Sequence, residues 1–232
     1  MSVDHEFTLH AERVAVLCSG GLDSVVLAAD LATTAFVHPI YVTSGLAWER
    51  EEQAMLERAL AAFPDRSHLA PLHVLKASVR DVYASTHWAL TGTPPAYDTP
   101  DEDVYLVGRN VVLLGKAAVY CAIQKISRIA LGPLAGNPFP DATPEFYAAM
   151  AHALSLGLAH RIAIETPYRH LHKADVIRRG QQVGAPMNLT MSCMNPVGGV
   201  HCGACSKCRE RHDAFVEAIG KDPTIYALSR KA

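Results

Sequence analysis

The chain has 232 residues, 50% of them apolar, which is enough to bury the core of one α/β domain, alone or with a small appendage. Lysine and arginine together number 21 against 23 for aspartate and glutamate, a balance that argues against a protein living on duplex nucleic acid. No stretch approaches the roughly 18 to 20 apolar residues that cross a membrane, and no secretion signal is visible. We therefore expect a cytoplasmic protein with neither a membrane partner nor a stable nucleic-acid partner.

Short apolar runs alternate with helical patterns along the chain. The predicted strands cover residues 13–19, 38–44, 72–78, 128–135 and 161–168, and the predicted helices cover 23–34, 47–63, 110–125, 143–158, 173–184 and 206–220. Asp23 or Ser24 is expected to cap the first helix, and Thr143 the fourth. The alternation predicts a Rossmann-like α/β fold, with a parallel sheet covered by helices on both faces. Residues 78–107 show no period, which is typical of functional lids or disordered segments.

A glycine-containing loop follows the first predicted strand and opens the first helix. Its residues are Ser19, Gly20, Gly21, Leu22, Asp23 and Ser24. Glycines let backbone N–H groups approach a phosphate, and the helix N-terminus and serine hydroxyls add further attraction and donors. The plainer interpretation is a tight strand-to-helix turn. The loop has neither the lysine of a P-loop NTPase nor the glycine spacing of a dinucleotide site.

In its strand–loop–helix context this SGGLDS loop resembles the signature of the PP-loop ATP pyrophosphatases. Members of that family use ATP to attach AMP to a carbonyl or carboxylate oxygen, and a nitrogen or sulfur nucleophile then displaces it. The resemblance implies that the loop holds the departing pyrophosphate. By the same analogy, Ser19 and Ser24 are catalytic, and Asp23 supports the loop or Mg²⁺. Residues 41–44, at the end of the second predicted strand, would lie beside the adenine.

The six cysteines fall into two groups. Cys18 and Cys121 are isolated in apolar surroundings and are predicted to be small core residues. The other four crowd into residues 193–208: Cys193, Cys202, Cys205 and Cys208. Four thiolates at this spacing favour a structural Zn²⁺ site, or less often an iron–sulfur cluster. We therefore divide the chain into a nucleotide-binding α/β domain, residues 1–190, and a zinc-binding loop with the last helix packed on it, residues 191–232.

The loop and the cysteine segment together resemble the 7-cyano-7-deazaguanine synthases within this superfamily. Other matching pieces are residues 108–110, 144–146 and 166–180. The resemblance implies conversion of 7-carboxy-7-deazaguanine, ammonia and ATP into the nitrile precursor of queuosine. It also implies that Lys173 lies near the nucleotide and neutralises phosphate charge. Arg109 grips a phosphate or carboxylate in this interpretation, whereas Asn110 either contributes to the nucleotide site or only caps a helix.

Two segments depart from the pattern of these synthases, residues 132–145 and residues 43–50, and both would touch the deazapurine. Met191 also stands where tryptophan is common. The sequence therefore supports the ATP-dependent chemistry better than it supports the identity of the substrate, and two alternative functions stay open. One is a divergent paralogue that adenylates another carboxylate or a base. The other is a non-catalytic, zinc-bearing module that binds nucleic acid. The basic patch that would support this alternative, formed by Lys207, Arg209 and Arg211, is small.

The expected ligands are accordingly ATP, Mg²⁺ and Zn²⁺, with a deazapurine carboxylate and ammonia as small-molecule substrates, and we expect a homodimer. The acidic run at residues 98–103 is expected to be a solvated loop, with Mg²⁺ binding as the minority interpretation. The sequence leaves the product, ADP or AMP, open.

Overall fold

The computed structural model describes residues 12–228. Five parallel strands form one sheet in the order β3-β2-β1-β4-β5. The strands are β1 (Arg13–Leu17), β2 (Phe36–Thr43), β3 (His73–Lys76), β4 (Arg128–Ala130) and β5 (Ala163–Glu165). Because the strand order reverses beside β1, the loop after β1 lies at the crevice where open α/β sheets bind ligands.

The helices are α1 (Leu22–Leu31), α2 (Glu49–Ala61), α3 (Trp88–Thr91), α4 (Arg109–Ile123), α5 (Pro144–Leu158), α6 (Lys173–Gln182) and α7 (Ser206–Ile219). Side chains of α1, α2, α6 and α7 form one apolar core with β1 and β2. Side chains of α4 and α5 form a second core on the opposite face, with β1, β2 and β4. The predicted sheet with helices on both faces is therefore confirmed. Among the described residues, no helix is both long and apolar enough to cross a membrane.

Two of the predicted helix caps are wrong and one is confirmed. Helix α1 begins at Leu22 with Gly21 as its N-cap, so Asp23 and Ser24 lie in its first turn instead of capping it. Helix α4 begins at Arg109 after a left-handed Gly108, so Asn110 is not a cap either. The Thr143 hydroxyl accepts a hydrogen bond from the N–H of Phe146, 3.1 Å, and caps α5 as predicted.

Residues 78–107 are packed against the cysteine segment and are not a disordered stretch. They contain α3 and a 3₁₀ turn at Asp101–Val104, and they share a third apolar cluster with the four cysteines. Ala96 forms an isolated antiparallel bridge with Cys205, and Arg209 donates a 3.3 Å hydrogen bond to the carbonyl of Thr99. This third cluster therefore joins the irregular segment to the C-terminal part of the chain.

Candidate active site and metal centre

The loop after β1 has a backbone shape that requires glycine. Gly20 has a φ of +80°, and a Cβ at this position would lie 2.7 Å from the carbonyl oxygen of Glu52. The Gly20 carbonyl accepts a 2.8 Å hydrogen bond from the N–H of Met191, which ties the loop to the chain leading into the cysteines. The loop is therefore held between α2 and the C-terminal segment.

The first turn of α1 can receive an anion, while several donors of the preceding loop are bonded within it. No side chain caps the first turn of α1, so the N–H groups of that turn keep their capacity to bind negative charge. The hydroxyls of Ser19 and Ser24 lie 3.4 Å apart, and the Gly21 N–H donates to Ser19 Oγ at 3.3 Å. Ser24 Oγ accepts from the Ser19 N–H at 3.2 Å and donates to the Gly21 carbonyl at 3.0 Å. Hydroxyls and amides thus converge on one bend.

Four charged side chains of alternating sign extend from this bend to α7. Lys173 Nζ lies 3.4 Å from Asp23 Oδ2 and also pairs with Glu210 Oε1. The other oxygen of Glu210 lies 2.8 Å from Lys207 Nζ. Burial disfavours the charge of Lys173, but Asp23 and Glu210 outweigh it and raise the pKa of the ammonium. Lys173 is therefore a firmly charged cation beside the loop.

The loop opens into a cavity of about 300 Å³ with aromatic walls. Trp48 and Trp88 lie on one side, stacked on each other with ring centroids 5.7 Å apart and an interplanar angle of 13°. Phe139 belongs to residues 132–139, which also line the cavity, and its ring stacks on Tyr105 with ring centroids 5.1 Å apart. Flat apolar faces of this kind suit a planar heterocycle. All four rings come from the irregular segment or from the segments that depart from the synthase pattern.

A second lobe of about 250 Å³ shares the loop and Arg109 with the first. Asp141 at its rim is fixed by Asn110, which donates its backbone N–H to Asp141 Oδ2 at 3.0 Å and its side-chain amide to the Asp141 carbonyl at 2.8 Å. Burial raises the pKa of Asp141. Asn110 therefore holds the wall of the lobe in place.

Three buried polar atoms of this second lobe have no hydrogen-bond partner within residues 12–228. They are Asp23 Oδ1, Arg109 Nε and the Tyr147 hydroxyl. Leaving such a group unpaired costs about 1 to 3 kcal/mol, so a protein usually retains it where a ligand completes the bonding. The orphaned carboxylate oxygen of Asp23 also suits Mg²⁺, which takes one or two carboxylates together with substrate phosphates.

Glu52 lies on the other side of Arg109, in the first lobe. Its carboxylate accepts a 3.0 Å hydrogen bond from the Tyr41 hydroxyl. Burial raises the pKa of Glu52 to about 8, although the charge of Arg109 opposes the shift. Near neutral pH Glu52 is therefore largely protonated, and its carboxyl group does not neutralise the Arg109 guanidinium in the way that a carboxylate would.

The four cysteines of the C-terminal segment meet in one buried cluster. Their sulfurs all lie within 4.8 Å of one another. The Cys193–Cys205, Cys202–Cys208 and Cys205–Cys208 sulfur distances are 3.9, 3.8 and 3.5 Å. A tetrahedron of sulfurs about 2.3 Å from a central Zn²⁺ has edges of about 3.8 Å. The donor set and its spacing therefore fit zinc.

Backbone N–H groups donate to these sulfurs and stabilise them as thiolates. Cys193 Sγ accepts from Asn195 N and from Cys202 N, each at 3.3 Å, and Cys202 Sγ accepts from Ala204 N at 3.3 Å. Cys18 provides the contrast, because burial raises the pKa of its thiol to about 12. It and Cys121 are buried core residues, as predicted.

The three basic residues weighed as a nucleic-acid patch do not form one surface. Arg211 is buried and donates to Thr190 Oγ1 and to the Met187 carbonyl, at 2.8 and 2.9 Å. Lys207 faces the cavity, and Arg209 faces residues 97–99. The interpretation of these residues as a patch is wrong, because Arg211 is buried, and Lys207 and Arg209, two positions apart on the helix, do not share a face.

The sequence analysis missed several groups that line the cavity: Trp48, Glu52, Trp88, Tyr147 and Glu210. Glu210 could have been identified from the sequence, since it lies two residues after the last predicted metal ligand, Cys208, on the same predicted helix. The two tryptophans are the only ones in the sequence; Trp88 lies in the segment without a period, residues 78–107, and Trp48 lies at the start of the predicted helix 47–63.

Comparison with known proteins gives a consistent result. The sequence model of one family, described as "Queuosine biosynthesis protein QueC", matches residues 13–219. The 7-cyano-7-deazaguanine synthase of Methanopyrus kandleri is 34% identical over 230 residues, covering 91% of this chain and 97% of the relative. The enzyme of the same name from Thermoplasma acidophilum is 32% identical, covering 94% and 93%. That from Anaeromyxobacter dehalogenans is 31% identical, covering 95% and 98%.

Proposed function

The chain belongs to the family of the queuosine biosynthesis protein QueC, and we propose on that premise that it is an ATP-dependent carbon–nitrogen ligase. Its substrates are 7-carboxy-7-deazaguanine and ammonia, and its product is 7-cyano-7-deazaguanine. The observation that carries this proposal is the convergence of Asp23 Oδ1, Arg109 Nε and the Tyr147 hydroxyl, all buried and unpaired, on a cavity that opens at the Ser19–Ser24 loop.

The reaction begins with attack of the substrate carboxylate oxygen on the α-phosphorus of ATP. The bond to the bridging oxygen breaks, and pyrophosphate leaves with the bonding electron pair. The amides of the loop and the hydroxyls of Ser19 and Ser24 stabilise that growing charge, and the Lys173 ammonium adds a cation at the same place. Donors fixed in advance by Gly20 and its contact with Met191 cost no reorganisation at this step.

Ammonia then attacks the activated carboxyl carbon and expels AMP, which gives the amide. A second ATP activates the amide oxygen and releases pyrophosphate, and loss of both N–H protons and of that oxygen with AMP leaves the nitrile. The aromatic walls hold the flat heterocycle and exclude water, which would otherwise hydrolyse the acyl adenylate. Arg109 orients the carboxylate or the α-phosphate.

The two metals have separate roles in this proposal. Mg²⁺, when bound at Asp23 with the phosphates, supplies neutralisation of their charge. Zn²⁺ at Cys193, Cys202, Cys205 and Cys208 is structural, because four thiolates leave no position open for substrate. On this division residues 1–190 bind the nucleotide and residues 191–232 form the zinc-binding segment.

The test is incubation of the folded, zinc-loaded protein with 7-carboxy-7-deazaguanine, ammonium and MgATP, with mass-spectrometric detection of amide and nitrile. We expect nitrile together with AMP and pyrophosphate. Lys173→Gln should abolish product, whereas Lys116→Gln, an exposed lysine on α4, should match the wild type. Absence of nitrile would reject the assignment. ATP binding without turnover would then indicate another carboxylate, and salt-dependent oligonucleotide binding indifferent to ATP would indicate a binding module.

We further propose a cytoplasmic homodimer. Val111, Val119 and Ile123 on α4 and Leu156 on α5 are 45% to 70% exposed, and they belong to the two helices that cover one face of the sheet. Large apolar side chains exposed on two neighbouring helices are what an interface between two chains would cover. Light scattering after gel filtration should give the mass of two chains, and Ile123→Asp should give the mass of one.

A further inference from the structure

Helix α7 connects the metal centre to the phosphate end of the cavity. Its first turn contains the ligand Cys208, and Cys205 immediately precedes it. Lys207 lies between these two ligands in sequence, and its side chain lines the first lobe together with Lys173 and the Ser19–Ser24 loop. The packing that holds Cys205 and Cys208 in place therefore also determines where the Lys207 ammonium enters the cavity.

The charges around the first lobe show what Lys207 contributes. The ionisable side chains of its lining are three acids and three bases: Asp23, Glu52, Glu210, Arg109, Lys173 and Lys207. Glu52 is largely protonated near neutral pH, so the charges of this lining sum to +1, and without Lys207 they would sum to zero in a cavity that receives a polyanion. Electrostatic attraction of a triphosphate depends on the sign of this local sum.

Glu210 holds the two lysines as a pair. One of its oxygens pairs with Lys173 and the other lies 2.8 Å from Lys207 Nζ. A carboxylate that bridges two ammonium groups reduces their mutual repulsion and fixes both long side chains on the same side of the cavity. Both cations are thus positioned before a nucleotide arrives.

We propose that Lys207 is a second phosphate-binding residue for ATP and that Glu210 is the positioning residue that aims Lys207 and Lys173 at the loop. The proposal rests on the ATP-dependent function proposed above. It assigns a role in nucleotide binding to the metal-bearing segment, since Lys207 reaches the cavity from a backbone held by Cys205 and Cys208.

The experiment measures binding of a non-hydrolysable MgATP analogue by calorimetry, and by the fluorescence of Trp48 and Trp88, which both line the cavity and are the two tryptophans of the chain. Lys207→Gln should weaken binding about 10- to 100-fold, the usual effect of losing one charge-assisted hydrogen bond. Lys207→Arg should recover most of it. Glu210→Gln should raise the KM for ATP more than it lowers kcat, because it acts through the two lysines.

Matched measurements separate charge from folding. Lys116→Gln removes an exposed lysine on α4 and should leave the analogue affinity unchanged. Zinc content per chain, read with a colorimetric chelator, should be equal in all variants, so that a weaker affinity reports the lost ammonium and not lost metal. Equal affinity of Lys207→Gln and wild type would overturn the proposal even if nitrile is formed. Tight analogue binding that needs Lys207, in a protein that makes no nitrile, would instead support this inference and reject the proposed substrate.

Discussion

Replacing Gly20 by alanine tests whether the shape of the Ser19–Ser24 loop carries the function. The substitution has two costs that the structure separates. First, a non-glycine residue at a φ of +80° is disfavoured by about 1 to 2 kcal/mol. Second, the new Cβ would lie 2.7 Å from the Glu52 carbonyl oxygen, a backbone atom that cannot rotate away. Relieving that overlap by shifting the loop adds about 1 to 3 kcal/mol.

Gly220→Ala supplies the matched control. Gly220 ends α7 with a φ of +75°, and a Cβ there meets nothing within 4 Å, so this variant has the conformational cost alone. Urea unfolding should therefore show Gly20→Ala to be less stable than Gly220→Ala by about 1 to 3 kcal/mol. Because the shift moves the amides of the loop, affinity for the MgATP analogue should fall in Gly20→Ala only. Equal stability of the two variants with unchanged nucleotide affinity would refute the assignment of this loop as the phosphate site.

Four other predictions follow from the same geometry. Arg109→Gln should raise the KM of a substrate about 10- to 100-fold with little change in unfolding free energy, since its Nε has no partner within residues 12–228; an unchanged KM would remove Arg109 from the site. Tyr147→Phe should leave stability equal or up to about 1 kcal/mol higher while weakening ligand binding, whereas a less stable variant would reveal a structural role for the hydroxyl. Burial raises the pKa of Glu52 from 4.5 to about 8, so the folded state binds an extra proton in this window and loses stability as pH rises through it. Glu52→Gln removes that titration, and its unfolding free energy relative to the wild type should grow from pH 5 to pH 8, by at most about 1.4 kcal/mol per pH unit; a difference constant with pH would contradict the assignment. Removal of zinc by a chelator should weaken binding of the MgATP analogue before the sheet unfolds. Simultaneous loss of analogue binding and of the folded sheet would contradict a third apolar cluster that unfolds separately from the sheet.

The sheet was predictable because buried parallel strands and their helices leave periodic apolar patterns. The observed strands are shorter than predicted, and β4 and β5 have three residues each. Apolar residues after Ala130 extend the pattern, but the chain there leaves the sheet at Gly132 and Pro133 and lines the cavity instead. Hydropathy does not distinguish a buried strand from the apolar wall of a cavity.

The loop and the metal ligands were predictable because each is a local motif in which spacing determines geometry. The remaining site residues come from distant parts of the chain. Trp48 and Trp88 stack on each other although forty residues separate them, and Tyr147 and Arg109 line the same lobe from two different helices. Neither pair has a local spacing that could be recognised without the tertiary fold, so the sequence identified the loop at one end of the cavity and not the walls of the cavity.

The third apolar cluster explains why the metal centre and the cavity occur together. Residues 78–107 leave the sheet after β3 and contribute no strand to it, so the two main cores give them little support. They pack instead on the buried cysteines, with Trp48 and Leu106 in the same cluster. A cluster of this size buries too little apolar surface to be stable alone, and a metal that joins four thiolates adds folding free energy where burial is insufficient. Zinc at the four cysteines would therefore stabilise the cavity wall that would face the substrate, while the sheet stabilises the loop that would face the phosphates.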